Sequence, residues 1–235
     1  MLSKIKSSYT SRFGVFIFDY DGTLAATRTA VIKCFSQTLR ERFATIPMET
    51  IEAVIASGGL LEDAFARLMP GFTNTDIRNC VSRYREIYIE IDQETTVLFE
   101  GVKETLTALH REGRKIVVLS NKGRVSLETG LERFNLTHLI TAILPADQNE
   151  PTKPNPEVFF RRVRPLFGGI PLSSFIMIGD TFADIAFARA SNIASCWVSY
   201  GYGDAIQCLS MRPDFVIGSL RELLPSGRHA STLNC

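Results

Sequence analysis

Four apolar runs along the chain each lead into a loop of polar, chemically capable residues. Val15–Phe18 stops at Asp19-Tyr20-Asp21-Gly22-Thr23. So short an unbroken apolar run is the pattern of a strand buried on both faces of a parallel sheet. Val117-Val118-Leu119 leads into Ser120-Asn121, and Ile176-Met177-Ile178 into Gly179-Asp180-Thr181-Phe182-Ala183-Asp184. The loop after Ile140–Leu144 carries Lys153-Pro154-Asn155-Pro156. Open parallel sheets bind ligands beyond the carboxyl ends of their strands, so all four loops are expected on one rim.

The intervening segments have helical spacing. Helices are expected over Glu100–Glu112, closed by Gly113, and over Arg124–Phe134, Glu157–Arg164 and Phe182–Ser191. Strands are expected at Ile116–Leu119, Ile140–Leu144 and Phe175–Ile178, with weaker ones at Ser195–Val198 and Phe215–Ile217. Between the first strand and this alternation lies a block that reads as helical throughout. Its helices cover Arg28–Phe43 with Thr27 as cap, Met48–Ala56, Leu60–Leu68, and a longer one capped by Thr73 or Thr75. In the last, Ile77, Val81, Tyr84, Tyr88 and Ile91 share one face. The expected fold class is α/β, a Rossmann-like parallel sheet core with helices on both faces plus an inserted α-helical cap domain. Residues 1–25 and 97–235 would form the core and residues 26–96 the cap.

Charge argues against several partners. The 26 basic and 25 acidic residues leave a net charge of +1, too weak a field to gather nucleic acid or acidic membrane. No apolar run approaches the roughly 18 residues a membrane span needs. Met1–Phe13 carries Lys4, Lys6 and Arg12 without the apolar stretch of a signal peptide. The five cysteines are widely spaced with no CxxC, the pattern of reduced thiols, and a cytoplasmic location is expected. The three histidines lie too far apart in sequence for a zinc site. Pro225–Cys235 reads as a frayed tail.

Each polar loop also has an ordinary reading. An Asp after a strand often caps the next helix, Asp-Gly often makes a turn, Ser120 could be a cap and Lys153 a solvated charge. Those readings do not account for the order Asp-x-Asp, Ser, Lys, Asp-x-x-x-Asp on successive strand ends. Asp19, Asp21, Asp180 and Asp184 crowded on one rim could not all ionise without a balancing cation. Oxygen ligands without His or Cys suit Mg²⁺.

This ordered set resembles the haloacid dehalogenase superfamily of phosphohydrolases. Asp19-Tyr20-Asp21-Gly22-Thr23-Leu24 matches its first motif, Ser120 its second, Lys153-Pro154-x-Pro156 its third and Gly179-Asp180-x-x-x-Asp184 its fourth. Ala188-Arg189-Ala190 and Gly201-Tyr202-Gly203 look most like the phosphoglycolate-phosphatase branch. The resemblance implies a magnesium-dependent phosphatase acting on a small phosphorylated metabolite, phosphoglycolate-like, through an aspartyl-phosphate on Asp19. It implies that Asp19 and Asp180 bind the metal by side chain and Asp21 by its backbone carbonyl, with Asp184 in or near the second shell. Asp21 would be the acid and base. Ser120, Lys153, Gly22 and the backbone N–H groups after Asp19 and Asn121 would hold the transferring phosphoryl group.

Departures from the branch pattern bear on substrate. Ala26 stands where an Asp is usual. Ser57-Gly58-Gly59 falls where such caps lower a specificity loop, or else is a plain turn. Arg28, Arg67, Arg78 and Arg83 could meet an anionic group or face solvent. Asp21 argues against dehalogenase chemistry. Lys33, the one lysine between residues 26 and 96, gives a weak basis for a phosphonatase Schiff base. A sugar phosphomutase, which uses the same four motifs, and a non-catalytic phosphate- or partner-binding protein remain as alternatives.

Overall fold

The computed structural model describes residues 12–42, 45–147 and 150–224. Most of Met1–Phe13 and all of Pro225–Cys235 lie outside the described residues. The strands are β1 (Val15–Phe18), β2 (Ala25–Ala26), β3 (Val97–Leu98), β4 (Lys115–Gly123), β5 (Ala142–Ala146), β6 (Phe175–Gly179), β7 (Ala194–Val198) and β8 (Phe215–Ile217). Six form one parallel sheet in the order β5-β4-β1-β6-β7-β8. β1 is central, and every one of its side chains is fully buried.

Alternation along β1 divides the core in two. Val15 and Ile17 pack on one face with Val117, Phe159, Phe175 and Phe187. Phe16 and Phe18 pack on the other with Leu106, Val118, Leu127 and Ile178. Each such burial stabilises the fold by about 1.5–3 kcal/mol. The sheet is therefore covered on both faces, as the sequence pattern implied.

The helices of the inserted block are α1 (Arg28–Arg40), α2 (Met48–Ala56), α3 (Leu61–Leu68) and α4 (Asn74–Thr95). They close on a hydrophobic cluster of their own, with Phe35, Phe65 and Tyr84 at its centre. The Phe35 ring lies 4.9 Å from both Phe65 and Tyr84. Thr73 caps α4 through a reciprocal pair with Asp76. The block is entered and left through β2 and β3, a two-stranded antiparallel ribbon. Sequence spacing gave no sign of this ribbon, because two-residue strands carry no period.

Other differences have local causes. Thr27 precedes α1 without making a side-chain cap hydrogen bond. The helix expected from Glu100 starts at Val102, because Gly101 has φ +82°. The strand expected at Ile140–Leu144 begins two residues later, after a turn over Thr137–Leu139. The helix expected over Glu157–Arg164 becomes a wide turn over Phe159–Val163 and a tight one over Arg164–Phe167. Pro165 has no N–H to continue the ladder, and its ring crowds the carbonyl four residues back. The remaining helices are α5 (Val102–Arg111), α6 (Arg124–Arg133), α7 (Phe182–Ala190) and α8 (Ala205–Ser210). Cys34, Cys80, Cys196 and Cys208 are free and buried. Among the described residues no helix is long and apolar enough to cross a membrane.

Candidate active site

Asp19 is the first residue beyond β1 and is held there by its N–H, which donates to Ile178 O at 2.9 Å. Asp180 follows β6, and Asp184 lies in the first turn of α7. One oxygen from each of these three buried carboxylates lies within 4.8 Å of the others. Lys153 reaches them from the loop after β5, its Nζ 3.0 Å from Asp19 Oδ1 and 2.6 Å from Asp184 Oδ1. Three carboxylates against one ammonium leave two negative charges in a buried place. Burial is the largest cause that raises Asp19 to about 6, with Lys153 opposing it and Asp184 and Asp21 adding to it. Asp180 is pushed well above the usual carboxylate range, by burial first and then by Asp184 and Asp19. Burial works against the Lys153 ammonium, but Asp184 and Asp19 outweigh it and hold its proton more tightly. A dication would relieve this cluster, and an all-oxygen donor set fits Mg²⁺.

The three acids differ in what else they touch. Asp184 accepts Lys153 on one oxygen and Thr181 N (3.0 Å) and Oγ1 (2.8 Å) on the other. Its helix-capping role and its place in the cluster thus coexist. Asp180 accepts Thr23 Oγ1 at 3.2 Å and Tyr202 N at 2.7 Å. Three glycines surround it. A Cβ on Gly22, which has φ +77°, would lie 2.2 Å from Asp180 Oδ2, and one on Gly201 2.2 Å from Asp180 Cβ. A Cβ on Gly203 would lie 2.1 Å from the Asp180 backbone oxygen. Backbone cannot swing aside, so Gly203→Ala is expected to cost about 1–3 kcal/mol or more in urea unfolding.

Asp21, expected on this rim and to meet the metal by its backbone carbonyl, has its carboxylate outside the cluster of Asp19, Asp180 and Asp184. Its carboxylate is paired with Lys122, at 3.0 and 3.3 Å, because β4 runs on through Gly123 and carries Lys122 across the rim. The same ammonium lies 4.0 Å from the centre of the Tyr88 ring on α4 and 5.9 Å from that of Tyr20. Lys122 therefore touches the inserted block and the core at once. Sequence reasoning passed over it, because one lysine after a strand reads as a solvated charge.

Ser120 is buried at the end of the apolar part of β4. The Asn121 side chain brackets the Lys153 backbone, donating to its O at 2.9 Å and accepting from its N at 3.0 Å. Gly22 N–H is taken by Ala25 O at 2.9 Å, so in this geometry Gly22 supplies room for Asp180 rather than a free donor.

Asp19 and Asp21 open into a cavity of about 160 Å³ between the core and the inserted block. Asp19, Asp21, Ser120, Asn121 and Lys153 line its floor. Gly58 and Gly59 lie in its wall. A Cβ on Gly58 would be 3.3 Å from Thr181 Oγ1, so this turn abuts the loop that carries Asp180. Ser57 is not in the wall; its hydroxyl donates to Val54 O and accepts from Arg67. Arg28 pairs with Glu52, Arg78 donates to Thr75, and Arg83 pairs with Glu41 and Glu86. The arginine that does line the cavity is Arg85, which sequence reasoning did not single out.

A parallel sheet with Asp19 and Asp21 beyond its central strand, a lysine among buried carboxylates and a helical insertion above them is the arrangement of a phosphohydrolase. A sequence profile of haloacid dehalogenase-like hydrolases matches residues 16–198. The chain belongs to that family, and the site it carries is a phosphatase's. It is 29% identical over 208 residues to the pyrophosphatase PpaX of Halalkalibacterium halodurans, covering 88% of this chain and 94% of that one. The fold is shared with a haloacid dehalogenase-like hydrolase from Bacteroides fragilis, at TM-score 0.82, 24% identity and coverage of 90% and 100%. A protein from Haemophilus somnus described as a predicted phosphoglycolate phosphatase superposes with TM-score 0.80 at 22% identity, covering 90% and 96%.

Proposed function

We propose that the chain hydrolyses a small phosphate monoester by a Mg²⁺-dependent, two-step transfer through Asp19. The observation that carries this reading is the pairing of two carboxylates with different surroundings at one cavity floor. Asp19 is buried among Lys153, Asp180 and Asp184, whereas Asp21 is partly open and held by Lys122. Such a difference suits a nucleophile and an acid–base group.

In the first step an Asp19 carboxylate oxygen attacks phosphorus and the bond to the leaving oxygen breaks. Asp21 gives that oxygen a proton, so an alcohol leaves. In the second, water attacks phosphorus, its proton passes to Asp21, and the Asp19–phosphorus bond breaks to release phosphate. Ser120, Lys153 and backbone N–H groups after Asp19 and at Asn121 hold the transferring oxygens. Asp19 and Asp180 side chains with the Asp21 carbonyl would hold Mg²⁺, with Asp184 beside them. When bound, Mg²⁺ neutralises charge on the transferring group.

Residues 26–96 act in this reading as a cap on a core of residues 1–25 and 97–235. The separate cluster under Phe35, Phe65 and Tyr84 and the narrow β2–β3 ribbon support hinge-like opening for entry and closure for reaction. The Ser57-Gly58-Gly59 turn limits leaving-group size through Gly58 and Gly59.

Removing metal tests the reading directly. Excess EDTA should abolish phosphate release and added Mg²⁺ should restore it. Full activity of metal-free protein would refute it, and isomerised product without free phosphate would make the chain a mutase. A second expectation concerns Lys122, as the group that positions Asp21. Lys122→Met should lower kcat about tenfold or more for an alkyl phosphate, and less for p-nitrophenyl phosphate, whose leaving group needs no proton. Equal losses for both would mean that Lys122 does not act through Asp21.

A further inference from the structure

The cavity above Asp19 has two unlike ends. Its floor is polar and belongs to the core. Its upper wall comes from the cap and is mainly apolar, with Val31, Phe35, Val54, Leu61, Tyr84 and Tyr88, and the charged pair Glu62 and Arg85 beside them. Burial pushes the Tyr84 and Tyr88 hydroxyls up, away from ionisation, and the Tyr88 hydroxyl is already turned to Asp92 Oδ1 at 2.7 Å.

Three cations line the cavity, and each has an acid beside it. Lys153 meets Asp19 and Asp184. Lys122 meets Asp21. Arg85 is 3.6 Å from Glu62, which also lines the cavity. Lys153 and Lys122 are held by acids at 2.6–3.0 Å, and Arg85 sits in a half-exposed pair at the solvent edge. A second anionic group deeper in the cavity would therefore have to displace an acid or sit unpaired against the apolar wall, which is costly.

We infer that the leaving group is an uncharged, apolar alcohol, branched or cyclic, rather than a carboxylate-bearing or phosphate-bearing one. The inference rests on the phosphatase reading above and narrows it. It departs from the phosphoglycolate-like substrate that the sequence resemblance implied, and from pyrophosphate. Size bounds the class. About 160 Å³ is close to the roughly 150 Å³ of an apolar cavity that takes up benzene. The phosphoryl group must also fit at the Asp19 end, so the part of the alcohol that lies inside the cavity is about the size of a single small ring.

Uncleavable probes separate this inference from catalysis. Isopentylphosphonate and phosphonopropionate have the same length and differ only in ending in an isopropyl group or a carboxylate. With the full chain in saturating Mg²⁺, calorimetry is expected to show isopentylphosphonate binding at least about tenfold tighter, the effect of one or a few methyl-sized groups in an apolar pocket. A smaller ratio, or the reverse order, overturns the inference. Leu61→Arg, checked for folding by circular dichroism, should reverse the preference by placing a cation on the wall. An unchanged order in the folded variant also counts against the inference. Phosphate release from acetyl phosphate and isobutyl phosphate is measured in parallel. No turnover of either, with the binding order intact, would remove the phosphatase reading and leave the cavity assignment standing.

Discussion

Asp19→Asn is expected to lower kcat by about 10⁴-fold or more, as loss of a nucleophile does in other covalent enzymes, while the protein remains folded. Asparagine keeps the shape of the side chain but lacks the negative charge that, in the proposed mechanism, attacks phosphorus. Lys153 Nζ stands 3.0 Å from the Asp19 carboxylate, and Asp19 lies beyond the central strand, where Phe18 pairs with Val118 and Ile178 on either side. The neighbouring acids of the cluster are held elsewhere: Asp184 by Thr181 of its own loop and Asp180 by Tyr202 N and Thr23 Oγ1 from two other loops. The measurement is steady-state phosphate release, with unfolding followed in urea. Retention of more than a few per cent of wild-type activity would mean that phosphorus is attacked from elsewhere. The variant should be at least as stable as wild type without metal, because one charge of a crowded, buried cluster is gone.

The second large effect is expected at Lys153. Lys153→Met preserves most of the stem and removes the ammonium that contacts both Asp19 and Asp184. Activity should fall by about 10²–10³-fold, as for loss of a group aimed at developing charge. Metal-free protein should lose about 3–5 kcal/mol of stability, the usual result of removing one side of a buried ion pair. Mg²⁺ should restore part of that stability but little of the rate. The pH dependence has a definite sign. Asp19 titrates at about 6 in the folded, metal-free protein, against an ordinary 3.8. The folded state therefore holds its proton more tightly than the unfolded state does. Stability should fall as pH rises from about 4 through about 6 in EDTA. In Lys153→Met the window should extend upward, since the group that opposed the rise is gone. Urea midpoints across this range decide the matter, and a flat or rising profile in the wild type would contradict it.

Much of this site could be read from the chain. β1 and β6 are apolar runs too short for helices, and their carboxyl ends carry Asp19 and Asp180 as expected. The order of Asp19, Ser120, Lys153 and Asp180 along the chain anticipated a shared rim, and the structure brings them to one cavity or to the acid cluster beside it. What could not be read depends on side-chain direction across long separations. Lys122 meets Asp21 from 101 residues away and the ring of Tyr88 from another element, and no spacing rule connects them. The approach of Gly22, Gly201 and Gly203 to Asp180 is equally invisible, because a glycine in sequence shows permission but not the atom it makes room for. The arginines of the inserted block illustrate the converse. Sequence offered Arg28, Arg67, Arg78 and Arg83, all engaged with neighbours inside the block or beside it, whereas Arg85 lines the cavity.

The hydrophobic cluster of the inserted helices has a consequence for how such a protein changes over time. Phe35, Phe65 and Tyr84 are secured among themselves. The covalent link to the sheet passes through four ribbon residues, Ala25, Ala26, Val97 and Leu98, with Arg133–Asp92 and Lys122–Tyr88 as side-chain contacts across the same boundary. In the proposed reading, a substitution on the cavity side of α1 or α3 falls in one packing unit while the acids belong to the other, so a change in what is accepted need not change how it is cleaved. A library confined to the upper wall should yield variants with new preferences whose unimolecular chemistry, once substrate is seated, remains that of the parent.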